Sequence, residues 1–269
     1  MQRVDCHVHV NHYPNYGNDG KNTLDEKINA LVRSMATHNI DYSLILSSYR
    51  VNQNRPSTSQ IIKHTNKRSN EIGVVASFTI DNRTDGVSDY RKWFKNDLIK
   101  GIKLYCGYEH YYPYDKRYQS VYDLCVEYKQ PVMIHTGDTF ASNAKIRFSH
   151  PLNIDEVAVD NPELKVIMCH LGNPWTVDCQ EVLYKNKNVY ADISGLFVGD
   201  ISPYDEEYYA RKIKELLRYV GDPHRLLYGS DWPLCDMGAY LKFVEKLDLD
   251  KQSYNLLMAE NACSLFCLR

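Results

Sequence analysis

The chain has 269 residues, 43% hydrophobic and 25% charged, with 34 acidic side chains against 32 Lys and Arg. These are globular proportions, so a disordered tail, a collagen-like fibre and a coiled coil are excluded as descriptions of the whole. A net charge of −2 provides no field that would draw nucleic acid or an anionic membrane. No apolar run approaches the roughly 18–20 residues of a transmembrane span. The opening MQRVDCHVH enters a strand pattern at once, so no signal peptide is expected and the cytoplasm is the expected compartment.

Apolar runs rich in Val, Ile and Tyr recur at residues 4–9, 42–47, 72–79, 101–105, 131–136, 165–170, 189–194 and 225–231, and read as eight strands. Amphipathic stretches separate them. Thr23-Leu-Asp-Glu26 reads as a capping box, with Ile28, Leu31 and Met35 following at helical spacing. Ile213, Leu216, Leu217 and Val220 repeat that spacing before the last strand. Alternating strands and helices imply parallel pairing through right-handed crossovers. Eight such units in about 250 residues favour an α/β fold, a single (β/α)8 TIM barrel over residues 1–269, with a doubly wound open sheet as the runner-up. The eight cysteines include no CxxC and read as buried free thiols. Cys6 and Cys169 are expected to face the helix layer, Cys263 and Cys267 to share one helix face, and no disulfide is expected.

The longest polar loops, residues 11–22, 105–116 and 136–151, each follow the C-terminal end of a strand. That end of a parallel barrel carries the chemistry, so these loops are expected to form a partial lid. The fourth-strand loop, CGYEHYYPYDKRY, is crowded with tyrosine. Its rings read either as loop surface or as walls for an organic substrate.

Ligand-type residues gather at the same ends: His7 and His9 on the first strand, His135 on the fifth, His170 on the sixth and Asp231 on the eighth. Strand alternation points His7 and His9 into the barrel with Asp5 below them, and Cys6 and Val8 toward the helices. Two imidazoles two residues apart on a rigid strand are a chelate for a borderline metal such as Zn²⁺. Five such groups converging on one mouth are hard to explain as satisfied core residues. His12, His38, His64 and His224 instead sit in loop or helix-surface contexts, while His110 and His150 lie in loops overhanging the mouth.

The DxHxH opening (Asp5, His7, His9), the later IHTG, CHLG and YGSDWP, the segment Asn161-Pro-Glu-Leu-Lys-Val and the closing Asn261-Ala-Cys-Ser-Leu-Phe resemble the amidohydrolase superfamily. Within it they resemble the amidohydrolase-2 group, which contains aminocarboxymuconate-semialdehyde decarboxylase. The resemblance implies a metal-dependent barrel enzyme with His7, His9, His135 and Asp231 as metal ligands. It places His170 just outside them, orienting substrate or water. Such a site suits the chemistry, because a bound Zn²⁺ brings the pKa of its water to roughly 7. Asp231 is placed to act as a general base and His170 to donate to a developing oxyanion.

On the fourth strand Ile102 and Leu104 must face the helices, so Lys103 points into the barrel, where an unpaired ammonium is costly. A charge partner for Asp5 or for a substrate carboxylate is its favoured role, ahead of bridging a second metal. Tyr105 shares its face and is expected to line the pocket. Arg147, in the loop after the fifth strand, is the other candidate for a cationic clamp. The expected function is a metal-dependent hydrolase opening an ester, lactone or amide bond in a small organic substrate through a metal-activated water. A non-oxidative decarboxylase of the same superfamily is the alternative. A metal-holding binding protein without turnover is disfavoured, because the base positions are complete. One divalent transition metal is expected, Zn²⁺ foremost, with a small-molecule substrate and no nucleic-acid or membrane partner. A homodimer stays open.

Overall fold

The computed structural model describes residues 2–81 and 85–268. Its strands are β1 (Val4–Val8), β2 (Tyr42–Leu46), β3 (Ile72–Ser77), β4 (Ile102–Leu104), β5 (Val132–Ile134), β6 (Val166–Met168), β7 (Val189–Asp192) and β8 (Leu226–Leu227). Nearly every strand residue is buried, as in a parallel sheet covered on both faces. The main helices between them are α1 (Leu24–His38), α2 (Thr58–Thr65), α3 (Val87–Lys95), α4 (Gln119–Glu127), α5 (Asn153–Asp160), α6 (Thr176–Lys185), α7 (Pro203–Val220) and α8 (Met237–Glu245). Thr23 and Glu26 form the capping box expected for α1, and Ile28, Leu31 and Met35 are its buried stripe. Helix α7 opens on the Ser202 cap with Pro203 in its first turn and ends on Gly221 in the left-handed conformation.

All seven pairings from β1–β2 to β7–β8 are parallel and follow chain order. The ring is joined between its ends by Cys6 N donating to Tyr228 O (3.0 Å), Asp231 N to His7 O (2.9 Å) and His9 N to Trp232 O (2.7 Å). These bonds decide for the barrel against the open sheet. Ile102, Leu104, Val132, Ile134, Val166 and Met168 pack outward against the helices. Leu44, Leu46, Val75, Met133, Ile167 and Leu227 fill the interior. Ala262, Leu265 and Phe266 belong to the same inner cluster, and Phe266 lies against the start of β4, so the C-terminal segment closes the N-terminal end of the barrel.

Two expectations about thiols are corrected here. Cys6 and Cys169 sit in the inner cluster, not against the helix layer. Cys263 lies in the last helical turn (Asn261–Leu265) and is half-buried, whereas Cys267 falls beyond that turn and is exposed. All eight cysteines are free. No helix among the described residues is long and apolar enough to cross a membrane.

Candidate active site

The site begins with a departure from strand alternation. The pairing of β1 with β2 slips between Asp5 and Val8, a bulge that puts two successive side chains on one face. Cys6 and His7 therefore both reach the interior, while Val8 packs with the helices. Asp5 does not lie below the imidazoles. Its Oδ1 accepts from the backbone N of His7 (3.2 Å) and of Ser230 (3.0 Å), and its Oδ2 from Ser230 Oγ (2.6 Å). One buried carboxylate thus ties the His7 segment to the segment that carries Asp231. Burial raises the Asp5 carboxyl to about 7 against those hydrogen bonds.

Beyond Leu227 the eighth strand leaves the ladder, shorter than its apolar run predicts. A Cβ on Gly229 would lie 2.8 Å from the Cβ of His7 and 3.1 Å from that of Ser194, so only glycine lets β1 and β7 approach here. Asp231 follows in the left-handed region, at φ 59°. Gly195 is held in that region too, and a Cβ there would meet His170 Nδ1 at 2.4 Å.

His7, His9 and Asp231 come together as a group with ligand geometry. Asp231 Oδ1 is 3.2 Å from His9 Nε2 and 3.7 Å from His7 Nε2. The opposite ring nitrogens are taken: His9 Nδ1 lies 3.1 Å from the Leu46 carbonyl and His7 Nδ1 2.9 Å from Asp192 Oδ2. Carbonyl and carboxylate oxygens only accept, so both rings carry their proton on Nδ1 and turn a lone pair toward Asp231. Oδ1 of Asp231 is buried and lacks a donor. Two nitrogen lone pairs and a carboxylate oxygen facing one point repel unless a cation lies between them, and this donor set fits a divalent transition metal. Burial lowers His7 to about 3, so it is neutral at physiological pH, the form that ligates.

His135 stands beside this group rather than inside it. Its Nε2 lies 2.8 Å from the Asp138 carbonyl, which leaves Nδ1 as its lone-pair atom. Burial, then the charges of His170 and Lys103, keep its pKa well below the ordinary imidazole value. His170 packs against both neighbours, its ring centroid 4.8 Å from that of His7 and 5.0 Å from that of His135.

A cavity of about 90 Å³ lies over these residues, bordered also by Asn11, Tyr13, Ser48, Tyr49, Arg55, Lys103, Tyr105, Tyr108, Phe140 and Leu234. It adjoins a second space of about 350 Å³ that shares Tyr108, His135, Phe140, His170, Asp231 and Leu234. The first, fourth and fifth loops overhang the mouth as expected, and the loop after β2 joins them. Lys103 is buried in the interior, but Asp5 is not its partner: its Nζ lies 2.6 Å from Cys169 Sγ. Tyr105 lines the cavity and donates to the Ser47 carbonyl at 2.7 Å. Arg147 does not join them. It is exposed, with its guanidinium 4.5 Å from the Phe148 ring. The second cation at the cavity is Arg55, 3.2 Å from Ser48 Oγ and over the Tyr49 ring. His110 and His150 bond locally, to Asn143 and to the backbone of Leu152.

Sequence reasoning passed over Asp192, Ser194 and Arg55. Asp192 lay within the seventh apolar run, and an acid near the C-terminal end of a barrel strand was a usable signal. Arg55 carried none, because only the folded loop brings it to the mouth. The profile of a family described as Amidohydrolase matches residues 4–268. The chain belongs to the amidohydrolase-2 family. Members of that family are metal-dependent enzymes, among them hydrolases and decarboxylases. No curated protein matches this chain. Among solved structures it is similar to an uncharacterised TIM-barrel protein from Bordetella bronchiseptica, at 17% identity and TM-score 0.76, covering 100% of this chain and 99% of that one. It is also similar to a probable 2-pyrone-4,6-dicarboxylic acid hydrolase from Acinetobacter baumannii (16%, TM-score 0.72, covering 99% and 100%). A third is 5-carboxyvanillate decarboxylase from Sphingomonas paucimobilis (10%, TM-score 0.70, covering 100% of each). At these identities the likeness establishes the fold.

Proposed function

We propose that this protein is a metal-dependent hydrolase that opens an ester, lactone or amide bond in a small, flat substrate bearing a carboxylate. The observation that carries the reading is the charge inventory of the cavity. Arg55 and Lys103 border it, and Asp231 is the one carboxylate among its lining residues, set at the metal position between His7 and His9. Among the described residues neither cation has an ion-pair partner, so the space favours an anion. Tyr49 stands 5.2 Å from both Tyr105 and Tyr108, and Tyr108 stands 4.9 Å from His135. This wall suits a planar, unsaturated body held between Arg55 and the histidines.

His7, His9 and Asp231, with His135 alongside, would hold one divalent cation, with Zn²⁺ favoured by three imidazoles and one carboxylate. Bound there, the cation supplies Lewis acidity to polarise the scissile carbonyl. Asp231 accepts the proton of the attacking water and returns it to the leaving group. Arg55 and Lys103 orient the carboxylate, and the tyrosines exclude bulk water. The same two cations favour a second reading, a decarboxylase, because loss of CO2 also starts from a clamped carboxylate. The names of two structural neighbours, a dicarboxylic acid hydrolase and a carboxyvanillate decarboxylase, span these two reactions.

The test is incubation of the Zn²⁺-loaded protein with a panel of lactones, esters, amides and aromatic acids, following acid release and CO2 separately. Acid release without CO2 is expected from the carboxylated lactones or esters. CO2 release from the aromatic acids would replace the hydrolase by the lyase, and silence across the panel would remove both. The expected setting is a reducing cytoplasm, consistent with free buried thiols.

A further inference from the structure

We infer that Asp192 and Ser194 form one positioning unit that fixes the ring protons of His7 and His170 together, leaving His170 with a proton-accepting Nε2 at the cavity. This rests on the proposal above that His7 is a metal ligand, and on the place of His170 in the cavity lining. Asp192 is fully buried at the end of β7, and four donors surround its carboxylate. Oδ2 lies 2.9 Å from His7 Nδ1, while Oδ1 accepts from the backbone N of His170 (3.0 Å) and Ser194 (3.1 Å) and from Ser194 Oγ (2.5 Å). Ser194 Oγ spends its single proton on Asp192, so its lone pairs can only accept. They face His7 Nδ1 and His170 Nδ1, each at 3.0 Å. His170 Nδ1 has the Ser194 carbonyl as its other partner, at 3.1 Å. Every atom around the two Nδ1 positions is therefore an acceptor, and each ring must keep its proton there.

The consequence differs for the two rings. His7 presents a lone pair to the metal position, as a carboxylate–histidine pair does in metal sites generally. His170, with its Nδ1 proton held, exchanges protons only through the Nε2 that faces the cavity. There it can take a proton from a substrate hydroxyl, the O–H bond breaking as Nε2–H forms, and return it as an imidazolium. Asp192 also bonds the backbone N of His170, a residue held at φ 63°. One carboxylate at the end of β7 thereby steadies a metal ligand on β1 and both the strained backbone and the ring of His170 after β6.

Long-range ¹H–¹⁵N spectra of metal-free protein labelled at histidine nitrogen test the assignment without substrate. His7 and His170 should both appear as Nδ1–H tautomers at neutral pH, and an Nε2–H tautomer at either would overturn the proposal. In Asp192→Asn, Zn²⁺ affinity measured by chelator competition should fall about 10–100-fold in the folded protein, the usual effect of losing such a partner. Ser194→Ala should weaken it less and broaden the His170 signals. A variant that only loses thermal stability, with tautomers and Zn²⁺ affinity intact, would reduce Asp192 to a packing residue and refute the unit. Both readouts stand if no hydrolysis is found, so failure of the hydrolase reading is told apart from failure of this one.

Discussion

The proposed mechanism gives Asp231 two duties, ligation and proton transfer, and they separate by substitution. Asp231→Asn keeps the shape and an oxygen donor but loses charge and basicity. It should fold, retain part of its Zn²⁺, and turn over at least ~100-fold more slowly, the lower range of general-base contributions. Metal occupancy measured beside kcat checks this, and near-normal turnover with full metal would leave Asp231 structural. Arg55 is the residue whose loss should appear in binding instead. Arg55→Met should raise KM for a carboxylated substrate by about 10–100-fold, the scale of a charged hydrogen bond of about 1.5–3 kcal/mol. The corresponding carboxamide should respond little. An equal effect on both would mean that Arg55 packs against Tyr49 and binds nothing.

At the scale of the element, the β1 bulge builds the site. Without it, Cys6 inward would put His7 and His9 both outward, against the helices and away from Asp231. Asp5 holds the bulge by bonding the His7 and Ser230 amides and the Ser230 hydroxyl. Asp5→Asn replaces one acceptor oxygen by a donor facing donors. It should cost about 1–3 kcal/mol, the price of a buried unsatisfied group. Denaturant unfolding measures that loss, and Zn²⁺ occupancy should fall with it although Asp5 ligates nothing. Full occupancy in a destabilised variant would show that the bulge holds without the carboxylate.

At the scale of the whole molecule, burial sets the response to acid. The folded His7 imidazole sits at about 3 against an ordinary 6.5. Between those values the unfolded chain binds a proton that the folded chain refuses, so this stability is present above 6.5 and drains as pH falls toward 3. His135, lowered by burial, acts in the same direction. Asp5 and Glu109, both raised to about 7 by burial, and Asp138, raised by burial, oppose them, whereas Asp192, held low among its donors, sides with the imidazoles. Metal-free protein should therefore melt lower on acidification below about 6.5, and a Tm that rises there would overturn the assignment of neutral imidazoles. The thiols report the same packing. Under native conditions Cys267 should alkylate at once, Cys263 slowly, and the six buried cysteines only on unfolding. Denatured, unreduced protein should then show all eight.

The sequence by itself was enough for the barrel, because period-two and period-3.6 patterns alternate along the chain and local hydrophobicity dictates both. It was also enough to collect His7, His9, His135, His170 and Asp231, since in a parallel barrel the C-terminal strand ends meet at one mouth whatever the loops do. Tertiary structure decided what alternation cannot encode. A slip of one residue in β1 reversed the placement of Asp5 and Cys6, because pairing register depends on the neighbouring strand. Ser194 and Asp192 became partners of two histidines 187 and 22 residues away in the chain, through hydrogen bonds that exist only once the ring closes. Arg55 replaced Arg147 at the cavity for the same reason. A loop side chain is placed by the path of its backbone across the barrel mouth, and that path is set by packing rather than by the residues beside it.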